Sequence, residues 1–435
     1  MKSLFYGGTH PPQKKELCLK TPEPLAAPAI LTIPLRQHIG APCKPLVSVG
    51  DLVKAGQKIG DGEGLCVPVH TPVAGIVEDI KEMPYPGGGT VLSVIIRNNF
   101  TDVKDNTLTA HPEDTVFSAE ELIRIVREAG ITGMGGATFP TDVKIRSGIG
   151  KVDTLIANGC ECEPYITADD LLLRERARDV LRGLRCIASV LEPKRIVIAV
   201  ENNKKEAIAA VTEALSSFAG MVCLPVPTCY PQGAEKQLIM AVTGREVPSG
   251  GLPADAGCAV FNVATLAAVC RAVYEGKPLT ERIVTVTGEA VREPKNVIAA
   301  IGTPFSALIE AAGGLTEDAD KVISGGPMMG IAQNALDAPV TKGTNAVLCL
   351  SRKDNREVEH PVCIRCGKCL TVCPIRLQPL NMYLYAEAKN AEELQKLHLN
   401  DCIECGCCAY VCPAKLPLTA RFKEGKRFLK EETKA

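Results

Sequence analysis

Two runs of cysteine near the C-terminus constrain this chain more than any other feature. The first run begins at Cys363 and the second at Cys402, and both read Cys-x2-Cys-x2-Cys-x3-Cys-Pro. This spacing binds two iron–sulfur cubanes, and the fourth cysteine of each run reaches across to the other cubane. We therefore predict two 4Fe-4S clusters. One set of ligands is Cys363, Cys366, Cys369 and Cys412, and the other is Cys402, Cys405, Cys408 and Cys373.

Structural zinc and a disulfide framework are the alternatives for these cysteines. Zinc sites rarely use four cysteines in one such run with proline after the fourth, and the two matching copies favour clusters. Cys407 is an additional cysteine inside the second run that could compete as a ligand, although its spacing fits less well. Two clusters close together, as in a bacterial-type ferredoxin, provide a path for single electrons.

Length and composition limit what the rest of the chain does. The 435 residues suggest about three domains of ordinary size. A formal net charge of −1, the absence of Trp and an aromatic content of 4% argue against nucleic-acid binding. The first twelve residues lack the apolar core of a signal peptide, and no run of about 18 apolar residues occurs, so we expect a reducing compartment and no transmembrane segment.

The N-terminal part, residues 1–115, is expected to form an arm and an all-β module. Prolines are dense in residues 1–27, and short β-type runs alternate with turns from Ile30 to Arg97. The phrases VSVGDLVKAGQKIGDGEG and VHTPVAGIVEDI are similar to the barrel-sandwich of biotinyl and lipoyl carriers. The turn HTPVAG has no lysine for modification, which indicates a scaffold. His38 and His70 are candidate metal ligands, but lone histidines in β modules are more often structural.

Residues 116–278 read as an α/β domain with a mainly parallel sheet. A capping box at Ser118 and Glu121 predicts the start of its first helix. The glycine-rich segment 130–144 follows that helix rather than a strand, so it is not a Rossmann loop. It is either an anion-binding nest of backbone N–H groups or a simple turn. Glu161 and Glu163 follow a buried strand, where they are either contacts to ligand hydroxyls or part of a solvated loop.

The remaining chain is expected to hold two smaller units. Residues 279–345 fit a compact β-α-β module that resembles a β-grasp, and residues 346–435 form the cluster domain. The predicted fold class is therefore multidomain α/β and α+β. Its four parts are a barrel-sandwich module, an α/β domain, a β-grasp-like module and a two-cluster ferredoxin domain; the resemblance described next implies that the second is flavin-binding and the third of the SLBB type.

Several segments resemble known redox subunits. GITGMGGATFPTDVK, NGCECEP, YPQGAE and NVATL are similar to the flavin- and NADH-binding segments of the FMN subunit of respiratory complex I. FYGGTHPP, PLRQHIGAP and the two cysteine runs are not features of that subunit. They look like the C subunit of the Rnf complex, an ion-translocating ferredoxin:NAD oxidoreductase. The resemblance covers nearly the whole chain.

The resemblance implies a set of cofactor-binding residues. Gly133, Gly135 and Gly136 should pack against FMN, with Lys144 near its phosphate or ribityl end. The residues expected to contact the flavin are Asn158, Glu161, Tyr230, Gly233, Asn262 and Thr265, and those near the nicotinamide nucleotide are Phe139, Glu163 and Glu235. Met134 and Cys160 depart from the complex I pattern, which has arginine and aspartate there.

The resemblance also implies an activity and its partners. Electrons would pass between NADH, FMN and the two clusters in a subunit bound peripherally at the cytoplasmic face of the membrane. Its partners would be the membrane-embedded and ferredoxin-like subunits of the same complex, with ferredoxin reached indirectly. A flavin is the natural converter between two-electron and one-electron carriers, so no catalytic acid, base or nucleophile is expected. Two alternatives are a cobalamin reductase and a flavin-free electron conduit, the latter suggested by Met134 and Cys160.

Overall fold

The computed structural model describes residues 6–354 and 358–432, apart from the side chain of Asp354. The N-terminal arm is threaded between the later modules. It contains a 3-10 helix, Lys15–Leu17, and a short strand, β1 (Glu23–Pro24). Gly8 N donates to Val372 O at 2.9 Å, and Thr9 exchanges backbone hydrogen bonds with Tyr230. The arm therefore connects the α/β domain to the cluster domain.

The first module is built from short antiparallel strands. Its strands are β2 (Ile30–Pro34), β3 (Lys44–Pro45), β4 (Leu52–Val53), β5 (Lys58–Asp61), β6 (Val69–His70), β7 (Gly75–Pro84) and β8 (Thr90–Asn98). They form a four-stranded sheet in the order β2-β8-β7-β4 and a three-stranded sheet in the order β3-β5-β6. Apolar side chains from both sheets, among them Ile33, Ile59 and Ile96, share one core, as in a sandwich.

The second module is a parallel sheet flanked by helices. Its elements are α1 (Ala119–Glu128), α2 (Thr141–Gly148), β9 (Thr154–Gly159), α3 (Ala168–Leu191), β10 (Arg195–Glu201), α4 (Lys205–Ala214), β11 (Met221–Val226), α5 (Glu235–Thr243), β12 (Cys258–Asn262) and α6 (Val263–Glu275). The strand order is β11-β10-β9-β12, with every pairing parallel. The predicted capping box at Ser118 is present, with Glu121 N donating to its hydroxyl. Strand β9 is buried over most of its length, which its apolar run dictates.

The third module is a mixed sheet with one helix. It contains β13 (Glu281–Thr287), β14 (Lys295–Ala300), α7 (Phe305–Ala311), β15 (Ala319–Ser324), β16 (Ile331–Ala332) and β17 (Ala346–Ser351). The sheet order is β1-β14-β13-β17-β15-β16. Strand β17, which lies just beyond the predicted boundary at residue 345, pairs with both β13 and β15. Strand β1 from the arm completes the edge of this sheet.

The fourth module is helical and surrounds the cysteine runs. Its helices are α8 (Lys368–Thr371), α9 (Pro379–Glu387), α10 (Ala391–Lys396), α11 (Cys407–Val411) and α12 (Leu418–Glu432). Met382, Leu399 and Phe422 form a small core with the cysteines. Within the described parts of the chain, none of the helices combines the length and apolar character needed to cross a bilayer.

Candidate functional site

The cysteine runs surround two separate cavities, and each cavity takes cysteines from both runs. One is lined by Cys363, Cys366, Cys369 and Cys412, and the other by Cys373, Cys402, Cys405 and Cys408. The structure thus brings together the two crossed sets that the spacing predicts. Backbone N–H groups of Arg365 and Glu404 point at the first sulfur of each run, both at 3.4 Å. Hydrogen bonds to the sulfurs are one of the factors that set the reduction potential of a bound cluster.

The two cavities differ in their exposure. Cys366 is exposed and its neighbours Val362 and Ile364 are 73% and 66% exposed, so the first cavity lies at the surface. Cys373, Cys405 and Cys408 in the second cavity are buried. The second cavity therefore faces the interior of the protein.

Cys407 lines the second cavity but its sulfur has other contacts. The Cys407 side chain is fully buried, and its Sγ lies 3.8 Å from Tyr230 O and 3.9 Å from Thr9 Oγ1. Each contact connects the second run to the α/β domain or to the arm. Four other cysteines already surround the cavity, so Cys407 is not needed as a ligand.

The glycine segment forms a loop that is held at its base and open at its tip. Gly133 N donates to Phe139 O at 2.8 Å, and Met134 N donates to Thr265 Oγ1 at 2.9 Å. Gly135 and Gly136 are exposed, and Gly136 has φ +106 with open space where a Cβ would lie. The Met134 side chain is buried in the core of the α/β domain. The tip therefore offers bare backbone to a ligand, and the Met134 side chain is not part of the exposed tip.

Asn262 and Thr265 lie beside this loop at the start of helix α6. Asn262 Oδ1 accepts hydrogen bonds from Ala264 N and Thr265 N, and its Nδ2 donates to Asp169 Oδ2 at 2.6 Å. A Cβ on Gly135 would lie 3.6 Å from Asn262 Cβ. The structure therefore brings the glycine loop and the start of α6 together.

Asn158 and Gly233 meet at the carboxyl end of strand β9. Asn158 Nδ2 donates to Gly233 O at 2.9 Å, and Asn158 Oδ1 accepts from Cys160 N at 3.0 Å. A Cβ at Gly233 would lie only 2.2 Å from Cys160 O, so glycine is required by this close approach. Cys160, which replaces an aspartate of the complex I pattern, is buried in the core.

Glu161 is fixed at the start of helix α3 by backbone and arm contacts. Its carboxylate accepts from Asp169 N at 2.8 Å and from Asp170 N at 3.4 Å. Lys15 of the arm donates to Glu161 O at 2.8 Å and to Glu163 O at 2.9 Å. Burial raises the pKa of Glu161 to about 7, and Lys15 opposes that rise. The arm lysine therefore holds the loop that carries both glutamates.

Glu163 and Tyr230 link the α/β domain to its neighbours. Glu163 accepts from Met328 N at 3.1 Å and Met329 N at 2.9 Å, and Tyr230 Oη lies 3.4 Å from the same carboxylate. The Tyr230 hydroxyl donates to Cys405 O at 2.7 Å. The Glu163 carboxylate is therefore hydrogen-bonded to the third module. The resemblance had implied instead that Glu163 lies near the nucleotide. The Tyr230 hydroxyl thus contacts one of the four cysteines of the second cavity, Cys373, Cys402, Cys405 and Cys408, which we call the second cysteine set.

Lys144 and Glu235 form an ion pair at the edge of the site. Both side chains are partly exposed, and Lys144 Nζ lies 5.4 Å from the centre of the Phe261 ring. Phe139 is half-buried in the loop that leads into α2. Glu235 is the first residue of helix α5, where the helix dipole favours a negative charge.

Several buried polar groups around these loops have no hydrogen-bond partner among the described residues. They are Thr132 Oγ1, Thr141 Oγ1 and both amide atoms of the completely buried Gln232. Thr132 and Thr141 flank the glycine loop, and Gln232 precedes Gly233. Buried polar groups normally have hydrogen-bond partners, so these atoms fit a site in which a polar ligand provides the missing partners. The residues present are therefore compatible with a bound flavin nucleotide.

Sequence reasoning missed the residues that act across module boundaries. Thr9, Lys15, Met328 and Met329 contact the site although they are distant from it in the chain. His38 was expected to be a lone histidine, but one of its ring nitrogens lies close to Cys43 and Cys66. No local motif marks any of these contacts.

Family models match four consecutive parts of the chain. They are the RnfC barrel-sandwich hybrid domain over residues 3–101, the Nuo51 FMN-binding domain over 126–271, the SLBB domain over 283–332 and a 4Fe-4S dicluster domain over 362–416. These domains occur in the order that the sequence predicted. The expected fold class is confirmed.

Full-length relatives decide the family. The chain is 44% identical over 386 residues to the C subunit of the Na+-translocating ferredoxin:NAD+ oxidoreductase complex of Acetobacterium woodii, covering 88% of this chain and 87% of that protein. The chain belongs to the Rnf C-subunit family. A proton-translocating counterpart from Clostridium ljungdahlii is 43% identical, with 91% and 88% covered. The C subunit of the ion-translocating oxidoreductase complex of Pectobacterium atrosepticum is 43% identical over 97% of this chain but only 61% of its own length.

A solved structure shares the fold of this Rnf C subunit. An air-oxidised NAD+-reducing [NiFe]-hydrogenase matches with a TM-score of 0.50 and 18% identity, over 72% of this chain and 61% of that one.

The curated relatives and the family models together show what kind of subunit this is. The Rnf C subunit is a subunit of an ion-translocating oxidoreductase complex, with an FMN-binding domain and a 4Fe-4S dicluster domain. Neither the cobalamin-reductase alternative nor the flavin-free conduit has support from these relatives.

Proposed function

We propose that this Rnf C subunit exchanges electrons between NAD(H) and two 4Fe-4S clusters through FMN. The observation that carries the proposal is the continuous contact from the flavin-type loops to the second cysteine set. Tyr230 belongs to one of those loops, and its hydroxyl donates to Cys405 O at 2.7 Å. The names of the relatives, ferredoxin:NAD+ oxidoreductase subunits, support NAD as the nucleotide and ferredoxin as the indirect partner.

The ligands of the clusters follow from the two cavities. Cys363, Cys366, Cys369 and Cys412 hold one cluster, and Cys373, Cys402, Cys405 and Cys408 hold the other. Four thiolates are the usual ligand set of a 4Fe-4S cluster. The buried set adjoins the flavin-type loops, and the exposed set adjoins solvent.

FMN would be held by the groups that converge around the glycine loop. Gly133, Gly135 and Gly136 give close backbone approach, and Asn262 and Thr265 lie beside them at the start of α6. Asn158 and Gly233 form the opposite side. Lys144 supplies the positive charge for the phosphate or ribityl end. Glu161 positions its loop through the start of α3.

The nicotinamide nucleotide would bind beside Phe139 and Glu235. Both are only partly buried, which leaves their side chains accessible. Glu163 is assigned to the junction with the third module, because Met328 N, Met329 N and Tyr230 already contact its carboxylate.

The protein's role in the reaction is to bind, orient and exclude water. When bound, FMN supplies hydride exchange with the nucleotide and single-electron exchange with a cluster. Phe139 and Glu235 orient the nucleotide, and the buried Tyr230 and Cys162 exclude water between the loops and the second cysteine set. No side chain acts as acid, base or nucleophile.

The remaining subunits of the complex would dock near the exposed cysteine set. Val362 and Ile364 are exposed beside Cys366, and apolar surface next to a redox centre suits a protein partner. We infer that these partners are membrane-embedded and ferredoxin-like subunits, and that this subunit lies peripherally at the cytoplasmic face of the membrane.

Replacing Glu235 tests the nucleotide assignment. Glu235→Gln removes the charge with which Glu235 would accept a hydrogen bond from the nucleotide, and a hydrogen bond to a charged group contributes about 1.5–3 kcal/mol. We expect the apparent affinity for NADH, measured by bleaching of the flavin absorbance, to fall roughly 10-fold to 150-fold. FMN and iron contents should not change.

Glu120→Gln is the matched control. Glu120 pairs with Arg146 on the surface of the same domain, at a side-chain exposure of 71%. This variant should bleach like the wild type. If Glu235→Gln also bleaches with wild-type affinity, the nucleotide site lies elsewhere.

A further inference from the structure

A buried cluster of His38, Cys43 and Cys66 lies in the first module, outside the residues assigned to FMN, NAD(H) and the iron–sulfur clusters. One ring nitrogen of His38 and the two sulfurs all lie within 4.8 Å of one another. His38 and Cys43 are each 4% exposed and Cys66 is 3% exposed. From this cluster we propose that the first module binds one thiophilic d10 metal ion, Cu+ or Zn2+.

The backbone is arranged to bring these side chains together. His38 and Cys43 lie in the loop between β2 and β3, and Cys66 lies in the loop between β5 and β6. Ala41 N donates to Leu65 O at 3.0 Å, which joins the two loops. A Cβ at Gly40, which has φ +131, would lie 2.0 Å from Leu65 O. This close approach requires glycine and holds the three side chains in one place.

The sulfur geometry suits a shared ion. Cys43 Sγ and Cys66 Sγ are 3.5 Å apart. Two metal–sulfur bonds of about 2.3 Å at a tetrahedral angle put the sulfurs roughly 3.8 Å apart. The two sulfurs therefore need to move by only a few tenths of an ångström. Thiolate ligands select Cu+ and Zn2+ over harder ions.

The surroundings of His38 allow one tautomer that suits metal binding. His38 Nε2 lies 2.9 Å from Ala41 O and 3.2 Å from Val67 N, so it either donates to the carbonyl or accepts from Val67 N–H; the tautomer with its proton on Nε2, which donates to Ala41 O, leaves Nδ1 as a lone-pair ligand. The other ring nitrogen, Nδ1, is buried and has no hydrogen-bond partner among the described residues. A metal-bound imidazole usually donates its second N–H to a carbonyl or a carboxylate in this way.

Charge balance distinguishes the two ions. Lys342 is completely buried, and its Nζ donates to Pro68 O at 2.6 Å and to Gly130 O at 2.7 Å. Burial raises the pKa of the Cys43 thiol to about 12, and the positive charge of Lys342 opposes that rise. Two thiolates with Cu+ carry one net negative charge, which would offset the buried ammonium, whereas two thiolates with Zn2+ are neutral. A buried charge is costly unless it is compensated, so the site favours Cu+.

Metal counting on the cluster-loaded full chain tests the site. Anaerobically reconstituted protein is incubated with Zn2+ alone or Cu+ alone, desalted against a competing chelator, and analysed by mass spectrometry for metal, iron and FMN. We expect one equivalent of added metal in the wild type. Cys43→Ala and Cys66→Ala should retain at least about 10-fold less, with unchanged iron and FMN.

Cys223→Ala is the matched control, because Cys223 is a half-buried cysteine in strand β11. It should retain metal like the wild type. Retention of Cu+ supports both the site and the charge argument, whereas retention of Zn2+ alone supports the site and contradicts the charge argument. Retention below about 0.1 equivalent in the wild type, or equal retention in the Cys43→Ala and Cys66→Ala variants, overturns the proposal.

X-ray absorption on the wild type covers the case in which the alanine variants fail to fold. The expected metal shell has two sulfurs at about 2.3 Å and one nitrogen at about 2.0 Å. A four-sulfur shell would place the ion on the cluster cysteines. A Cys43–Cys66 disulfide detected by peptide mapping would mean that the two sulfurs are bonded to each other and not to a metal. Either result contradicts the proposed site.

Discussion

Removing one hydroxyl, in Tyr230→Phe, should make the cluster of the second cysteine set lose its iron faster. The cluster of the exposed set should be unchanged. The Tyr230 side chain is 1% exposed, and phenylalanine fills nearly the same volume. The change deletes the hydrogen bond to Cys405 O at 2.7 Å and the weaker contact to Glu163 at 3.4 Å. The perturbation is therefore confined to the junction between the α/β domain and the second cysteine set.

The magnitude follows from the cost of losing a buried hydrogen bond. A neutral hydrogen bond contributes about 1 kcal/mol, and a buried carbonyl left without a partner costs about 1–3 kcal/mol. A change of 1–3 kcal/mol raises the population of the locally opened junction by roughly 5-fold to 150-fold. Iron release that depends on this opening should accelerate by the same factor.

Capture of iron by a chelator measures this opening. In the reconstituted protein, half of the iron should be released faster in Tyr230→Phe, while the other half keeps its wild-type rate. Tyr383→Phe is the matched control, because the hydroxyl of Tyr383 bonds to Glu387 at 2.7 Å within helix α9. Equal acceleration of all the iron, or none, would refute the assignment of Tyr230 to the second cysteine set.

Three further variants test the crossed ligands and the buried carboxylate. Cys412→Ser should abolish the cluster of the exposed cavity and leave the buried one, and Cys373→Ser should do the opposite; electron paramagnetic resonance of the reduced protein distinguishes them. Burial raises the pKa of Glu163 to about 7, so the folded state holds this proton more tightly than the unfolded state does. Stability should therefore fall as pH rises from about 4.5 to 7, by at most about 3 kcal/mol from this group. Glu163→Gln should reduce the fall of the melting temperature over that pH range, with Glu161, whose pKa is also raised to about 7, accounting for part of the remaining slope. An unchanged slope would show that Glu163 does not contribute.

Local patterns predicted those parts of the protein that depend on short stretches of chain. The cysteine spacing indicated the two crossed sets, and Ser118 with Glu121 predicted the start of α1. The apolar runs predicted the parallel strands, because a strand buried on both faces needs apolar residues at every position.

The parts that sequence reasoning missed depend on contacts between distant segments. Strand β17 looked like the start of the cluster domain, but it inserts between β13 and β15. Glu163 was expected near the nucleotide, and the sequence did not show that the backbone N–H groups of Met328 and Met329 donate to its carboxylate. The cluster of His38, Cys43 and Cys66 requires two loops to meet. Spacing along the chain contains no information about such meetings.

The visible spectrum of the anaerobically reconstituted protein, recorded before and after addition of NADH, tests the central claim most directly. Our account predicts flavin bands together with a broad cluster shoulder, and both should bleach when NADH is added. Clusters without flavin, or flavin bands that do not respond to NADH, would contradict the proposed path from the nucleotide to the cysteine sets.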